Sequence, residues 1–232
     1  MSRARGSRRR PVGISGELGE ALAAPVAGEH VDEVVLGAEH VPEPLVSGRD
    51  AGTVPDVVLS GSRWRRGRLT GLRWRRWRCR DVVFEGCDLS GVIVEDGALD
   101  RVEFRDCRMS GVVLAGAKLT DVLFSGCKLD LANLRMVEGR RVEFTDCALP
   151  EADFHEARLS GGRIEDSELG GADFTGGSLP GLRLHGSGLR GLVGAEALRG
   201  AVIGPDQVLD VATALFDAAG IAVTDRGQSA AT

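Results

Sequence analysis

The chain has 232 residues, 43% hydrophobic and 27% charged, with a formal net charge of −5, which is a globular composition with enough apolar content for a sizeable core. No apolar run approaches the roughly 18 residues that a membrane-spanning helix needs, so the expectation is a soluble cytoplasmic protein with no membrane partner. Aromatics are only 4%, Tyr is absent and Gly numbers 33, so the core has to be filled by many small and medium side chains, which hints at repetition.

The first segment, residues 1–12, carries Arg3, Arg5, Arg8, Arg9 and Arg10 with no uninterrupted apolar stretch behind them, and reads as a disordered basic tail. Residues 13–56 read as an N-terminal capping segment. Within it the pattern predicts a short helix over 14–24, a strand over Val34 to Leu36 and a loop rich in Pro, Gly and Asp from Glu43 to Pro55.

From residue 57 a period of five takes over, within a repeat solenoid placed at 57–204. The large residue falls on every number ending in 4 or 9: Leu59, Trp64, Leu69, Trp74, Cys79, Phe84, Leu89 and so on to Leu189, with only Gly139 out of character. Two places earlier stands a smaller inward residue, as at Val82, Cys87, Val92, Val102, Cys107 and Ala117, and two places later a turn former, as at Gly86, Gly91, Asp106 and Gly111. Neither the helical nor the simple strand period fits. A chain that makes one side in five residues closes a square coil after four units, and this predicts a superimposed period of twenty. The sequence has it: Cys87, Cys107, Cys127 and Cys147 are twenty apart, as are Phe84, Phe104, Phe124 and Phe144.

Units such as CDLSG (87–91), AKLTD (117–121), ADFHE (152–156) and ADFTG (172–176) resemble the A(D/N)LXX pattern of the pentapeptide-repeat family, over about residues 57–193. The resemblance implies an all-β solenoid, a right-handed quadrilateral β-helix in which the large residue and its small partner both point inward. Gly139, lacking the large side chain, and Met136, at a turn position, predict a bulge or shallow defect. The last segment, 205–232, begins at Pro205. Val208, Leu209, Val211, Ala212, Leu215, Phe216 and Ala219 then fit a helical face, predicting a helix over 205–219 and a short extended tail through Ile221 and Val223. Related members pair through such a helix, so Leu215 and Phe216 are candidates for a homodimer interface or for the end cap.

Candidate chemistry is sparse, and no catalytic residue, cofactor or metal is expected. The twenty-spaced Cys lack any CxxC, fall on small inward positions and are read as packing, a role that Ser167 and Ser187 continue in the same ladder. Gly186 to Gly191 spells GxGxxG, but Gly186 and Gly191 fall on the turn phase and Leu184 and Leu189 on the inward phase, not between a strand and a helix. His155 and His185 have no partner in register for nucleophilic catalysis, and His30 and His40 lie outside the repeat.

Charge is the informative feature. Residues 1–80 are net +6, 81–200 net −8 and 201–232 net −3. Nine arginines with no acid among them (Arg63, Arg65, Arg66, Arg68, Arg73, Arg75, Arg76, Arg78 and Arg80) form a basic collar interleaved with Trp64, Trp74 and Trp77. Such a collar can bind nucleic acid or an acidic partner, although the Trp phases point inward, toward capping. Between 82 and 181, the side of the column that carries the Phe ladder has Glu85, Glu103, Asp106, Glu143, Asp146, Glu165 and Asp166 against Arg105 and Arg163, and its opposite side is net −4. The resemblance adds a specific partner, since some members match B-DNA in width and charge and bind type II topoisomerases in its place. The charge here, −9 over five coils or one per about 2.7 Å at the strand spacing, is sparser than the roughly 1.7 Å per charge of duplex DNA. The leading expectation is a binding or scaffolding protein acting through charged faces on a protein partner, with topoisomerase mimicry and binding through the collar as alternatives.

Overall fold

The computed structural model describes residues 57–223, together with the backbone of three short strands, Ser15–Leu18, His30–Asp32 and Thr53–Val54. Residues 57–193 form a parallel β-solenoid in which each strand pairs with the one twenty residues further on. Trp64 lies against Phe84, Phe84 against Phe104, Phe104 against Phe124, Phe124 against Phe144 and Phe144 against Ile164. The twenty-residue register is the direct consequence of sides five residues long: two inward positions fill the lumen, and three outward ones make the surface and the corner.

Two local devices turn the chain at each corner. Except at Arg76 and Asp96, the residue two after the large one adopts left-handed backbone, whether it is glycine, as at Gly86 and Gly126, or a charged residue, as at Asp106, Asp146 and Asp166. In some units the residue before the large one ties the turn. The carboxylate of Asp88 accepts from the Ser90 amide at 3.0 Å, Asp153 from His155 at 2.9 Å and Asp173 from Thr175 at 2.8 Å, and the Asn133 amide oxygen does the same for Arg135 at 3.2 Å. This is the physical content of the Asp or Asn in the repeat pattern.

The inward positions make one continuous core from Leu59 to Leu192, joined at its end by Ala195, Ala197 and Val211. The Phe rings stack nearly parallel, with centroids 5.0 Å apart between Phe84 and Phe104, 4.9 Å between Phe104 and Phe124 and 4.6 Å between Phe124 and Phe144. A second stack, Phe154 on Phe174, stands at 4.7 Å.

Several expectations are corrected. There is no break at Gly139: its backbone stays in register between Leu119 and Leu159. Leu159 fills the vacated space, since a Cβ on Gly139 would lie 2.5 Å from Leu159 Cδ2 and 2.9 Å from Val142 Cγ2. Met136 keeps the left-handed corner, with its side chain exposed. The twenty-residue register holds as far as Val193. Asp173 pairs with Val193, twenty residues on, but Arg183 pairs with Val202, only nineteen on, because a 3-10 turn at Ala195–Leu198 shortens the last coil. Gly194, at φ 76°, enters that turn so close to the Thr175 backbone that no side chain fits.

At the N-terminal end the chain forms a strand, Ser15–Leu18, antiparallel to Val57–Ser60, where a helix over 14–24 was expected. His30–Asp32 runs parallel to Arg63–Arg65 and Thr53–Val54 to Arg73–Trp74, which adds backbone partners to the first coil and so covers open strand edges. The strand expected over Val34 to Leu36 and the basic tail 1–12 lie outside the described residues. At the other end a 3-10 turn, Pro205–Gln207, leads into helix α1, Val208–Ala218, and Ile221 to Val223 form no regular strand. No helix among the described residues is long and apolar enough to cross a membrane.

Candidate interaction surface

The arginine collar is not a separate positive patch. Arg63 and Arg65 both reach Glu85, at 3.4 and 3.3 Å. Arg73 and Arg75 share Glu95 at 3.0 and 3.9 Å, Arg78 holds Asp96 at 2.9 Å, and Arg80 reaches Asp100 at 3.3 Å. Every one of these acids belongs to the next coil, so six of the nine arginines rest on four carboxylates there, and a charge count by segment conceals this. The signal was available: adding twenty to Arg65, Arg75 and Arg80 gives Glu85, Glu95 and Asp100. Arg66, Arg68 and Arg76 complete the collar at exposed positions.

Beneath the collar, Trp64, Trp74 and Trp77 are buried, as their phase predicts. Trp77 packs edge-on to Trp74 at 4.6 Å and to Phe84 and Phe104 at 6.0 and 6.2 Å, so the indoles plug the first coils rather than offering a stacking platform for bases. The Trp77 Nε1 proton has no acceptor among the described residues, a cost accepted for filling the lumen.

The acidic side divides in the same way. Glu85 is shared by two arginines, Glu103 pairs with Arg105, Glu143 with Arg163 at 2.8 Å, and Glu165 with Arg163 and Arg183, both at 3.4 Å. Asp106, Asp146 and Asp166 behave differently: they stand exposed at one corner, and their carboxylates make no hydrogen bond or ion pair with any described residue. Of the seven carboxylates on this side, these three remain as an acidic ridge. The opposite side retains less. Glu95 and Asp96 serve the collar, Asp153 pairs with Arg135 at 3.0 Å, and Asp153 and Asp173 tie turns. Elsewhere, Arg101 grips Asp81 through two nitrogens at 2.6 Å and Arg141 grips Asp121 at 2.6 Å, each holding the carboxyl below its ordinary range.

The thiol ladder is spent on structure. Cys87 donates to the Trp64 carbonyl at 3.4 Å and Cys127 to that of Phe104 at 3.5 Å, and Ser187 repeats the pattern on Ile164 at 3.0 Å. Sulfur hydrogen bonds with Cys127 and Cys87, together with burial, push the Cys107 thiol up, and burial alone pushes up Cys79. The next step of the ladder is Gln207, a residue the sequence pattern does not reveal because it reads as the start of a helix. Its Nε2 donates to the carbonyls of Leu184 and Ser187, both at 2.6 Å, and its Oε1 accepts from the Gly204 amide at 2.7 Å. With Val211 it closes the column. Leu215 and Phe216, by contrast, are 43% and 42% exposed, and Leu209 is 85% exposed, so these side chains are not the plug.

A family model for the pentapeptide repeat region matches residues 57–134 and 99–174. Among solved structures, a trypsin-treated form of QnrB1, described as a plasmid-mediated fluoroquinolone resistance protein, is 16% identical, with 84% of this chain and 98% of that chain covered and a TM-score of 0.42. Full-length QnrB1 gives 18%, 83%, 99% and 0.38 in the same order. HetL from the cyanobacterium Nostoc, a pentapeptide repeat protein involved in heterocyst differentiation regulation, gives 18%, 75%, 87% and 0.26. No curated protein sequence matches the chain.

Proposed function

The chain belongs to the pentapeptide-repeat family, and from that premise we propose that it is a non-enzymatic binding protein whose acidic ridge, Asp106, Asp146 and Asp166, docks on a basic patch of a protein partner. The observation that carries this reading is selective pairing. Four of the seven carboxylates on that side are neutralised within the column, while these three are exposed at one corner with no partner among the described residues. Buried nucleophiles support a binding role, because the Cys and Ser side chains of the lumen are engaged with backbone carbonyls.

Ridge spacing favours a local contact over extended mimicry of DNA. Coils rise by roughly 4.8 Å, so the ridge carries a charge every one to two coils, about 5 to 10 Å, against roughly 3.4 Å per phosphate along one strand of DNA. A type II topoisomerase is nonetheless a defined partner to test. In a supercoiling assay with gyrase, a DNA mimic inhibits or protects at stoichiometric concentration, and the present reading expects neither. Affinity capture from native cell extract tests the ridge itself. Asp106→Asn/Asp146→Asn/Asp166→Asn is expected to lose a specific partner that Arg73→Ala/Arg75→Ala/Arg76→Ala/Arg78→Ala retains, and the reverse pattern would transfer the function to the collar.

Homodimer formation through α1 is a second reading, favoured by the 85% exposure of Leu209 beside exposed Leu215 and Phe216. Sedimentation equilibrium is expected to show a dimer that Leu209→Glu/Phe216→Glu converts to monomer, and a monomeric parent chain would remove the idea.

A further inference from the structure

Leu131 and Met136 stand at consecutive corners of one coil, with φ of 56° and 55°. Every other described non-glycine residue in the left-handed region is Arg, Asp or Glu. A branched or long apolar side chain is disfavoured there, and neither residue recovers the loss by burial, because they are 61% and 50% exposed. The same two corners are Gly111 and Gly116 one coil earlier and Gly171 and Gly176 two coils later. Stability alone favours a glycine at both positions. Strain without structural return points to a role outside the fold.

The surroundings indicate which role. On the two preceding coils the outward ladder between these corners stacks Ile93 on Val113, with Ala115 alongside, so half-exposed apolar residues run up to the coil of Leu131 and Met136, where Asn133 continues the ladder and Arg135 is held by Asp153 at 3.0 Å. One coil further on, at the same corners, come Glu151 and Glu156. Both are exposed; the Glu151 carboxylate has no partner among the described residues, and that of Glu156 has only its chain neighbour His155, at 3.7 Å. Apolar surface is thus followed, one strand spacing along the axis, by a pair of carboxylates. We propose that this side is a docking site for a segment of another protein that carries apolar side chains next to lysine or arginine. A phosphate backbone is repelled by Glu151 and Glu156. A second copy of this chain fits poorly, since the apolar face it offers, on α1, brings Asp210 and Asp217 and no basic residue. The site shares no residue with the acidic ridge, so the two readings stand or fall separately.

The test uses the full chain and three short synthetic peptides of equal length: one alternating Leu and Lys, one with Glu in place of Lys and one with Ser in place of Leu. Fluorescence anisotropy is expected to show binding of the Leu–Lys peptide alone. Leu131→Asn/Met136→Asn is expected to weaken it by about tenfold or more, with the melting temperature unchanged or raised, because Asn suits the left-handed corner. Glu151→Gln/Glu156→Gln is expected to flatten the salt dependence of binding, and Asp106→Asn/Asp146→Asn/Asp166→Asn to leave affinity as it was. Equal binding by the parent chain and Leu131→Asn/Met136→Asn, failure of the Leu–Lys peptide to bind, or a melting temperature lowered by that variant would each overturn the proposal. So would light scattering that shows the parent chain self-associating through these two residues.

Discussion

Gln207 does the work of both a repeat residue and a cap. Its amide nitrogen donates to two carbonyls, Leu184 and Ser187, that face the open end of the lumen, and the residue is itself buried. Water cannot reach these groups once the end is closed, so losing the side chain leaves the Ser187 carbonyl and the buried Gly204 amide unsatisfied and the Leu184 carbonyl with only the Ser187 amide, at 3.2 Å, at about 1 to 3 kcal/mol for each unsatisfied buried group. Gln207→Ala is therefore expected to destabilise the chain by about 2 to 4 kcal/mol, read as a lower urea midpoint at unchanged slope. Cys127→Ser is the contrast. Ser167 and Ser187 already fill equivalent positions with hydrogen bonds to carbonyls, so that change is expected to cost less than about 1 kcal/mol, the worth of one ordinary hydrogen bond. If the two variants were equally stable, Gln207 would not be the closing residue.

At the scale of the strand and its neighbours, ion pairs run up and down the outside of the column at offsets near twenty. The tightest link Asp81 to Arg101 and Asp121 to Arg141. In both, the hydrogen bond from the guanidinium lowers the carboxyl pKa. A group whose folded pKa is lowered stabilises the fold above its unfolded value, near 3.9 for Asp. That contribution is lost as pH falls through the folded value. Melting temperature is thus expected to hold through neutral and mildly acidic pH and to fall below about pH 4. Asp81→Asn/Asp121→Asn is expected to start only slightly lower, since these pairs are partly exposed and screened by solvent, and to show a shallower acid decline. An identical acid limb in parent and variant would assign the decline to other carboxylates.

Over the whole molecule, the column was legible because its physics is one-dimensional: a period of five sets the side, a period of twenty sets the stack, and residues such as Phe84 and Phe104 announce both. The site was legible only in part. Charge read along the chain placed a positive collar on Arg63 to Arg80, whereas charge read across coils pairs most of it with Glu85, Glu95, Asp96 and Asp100. Gln207 and the Ser15–Leu18 strand escaped because each depends on a contact that no local pattern encodes. The one-dimensional character also sets how the molecule should come apart. Phe124 stacks on Phe104 at 4.9 Å and on Phe144 at 4.6 Å, with its ring fully buried. Phe124→Ala removes both contacts and opens a cavity, at a cost of about 3 to 5 kcal/mol. In a solenoid, stability is close to a sum of coil terms and nearest-neighbour interfaces, so the loss should be felt at one interface rather than spread along the column. Hydrogen exchange is expected to show protection falling in the strands around 104, 124 and 144 while the coil plugged by Trp74 and Trp77 stays protected, and denaturant is expected to unfold the variant in two steps. A single transition with protection lowered evenly from end to end would mean that the column folds as one cooperative block.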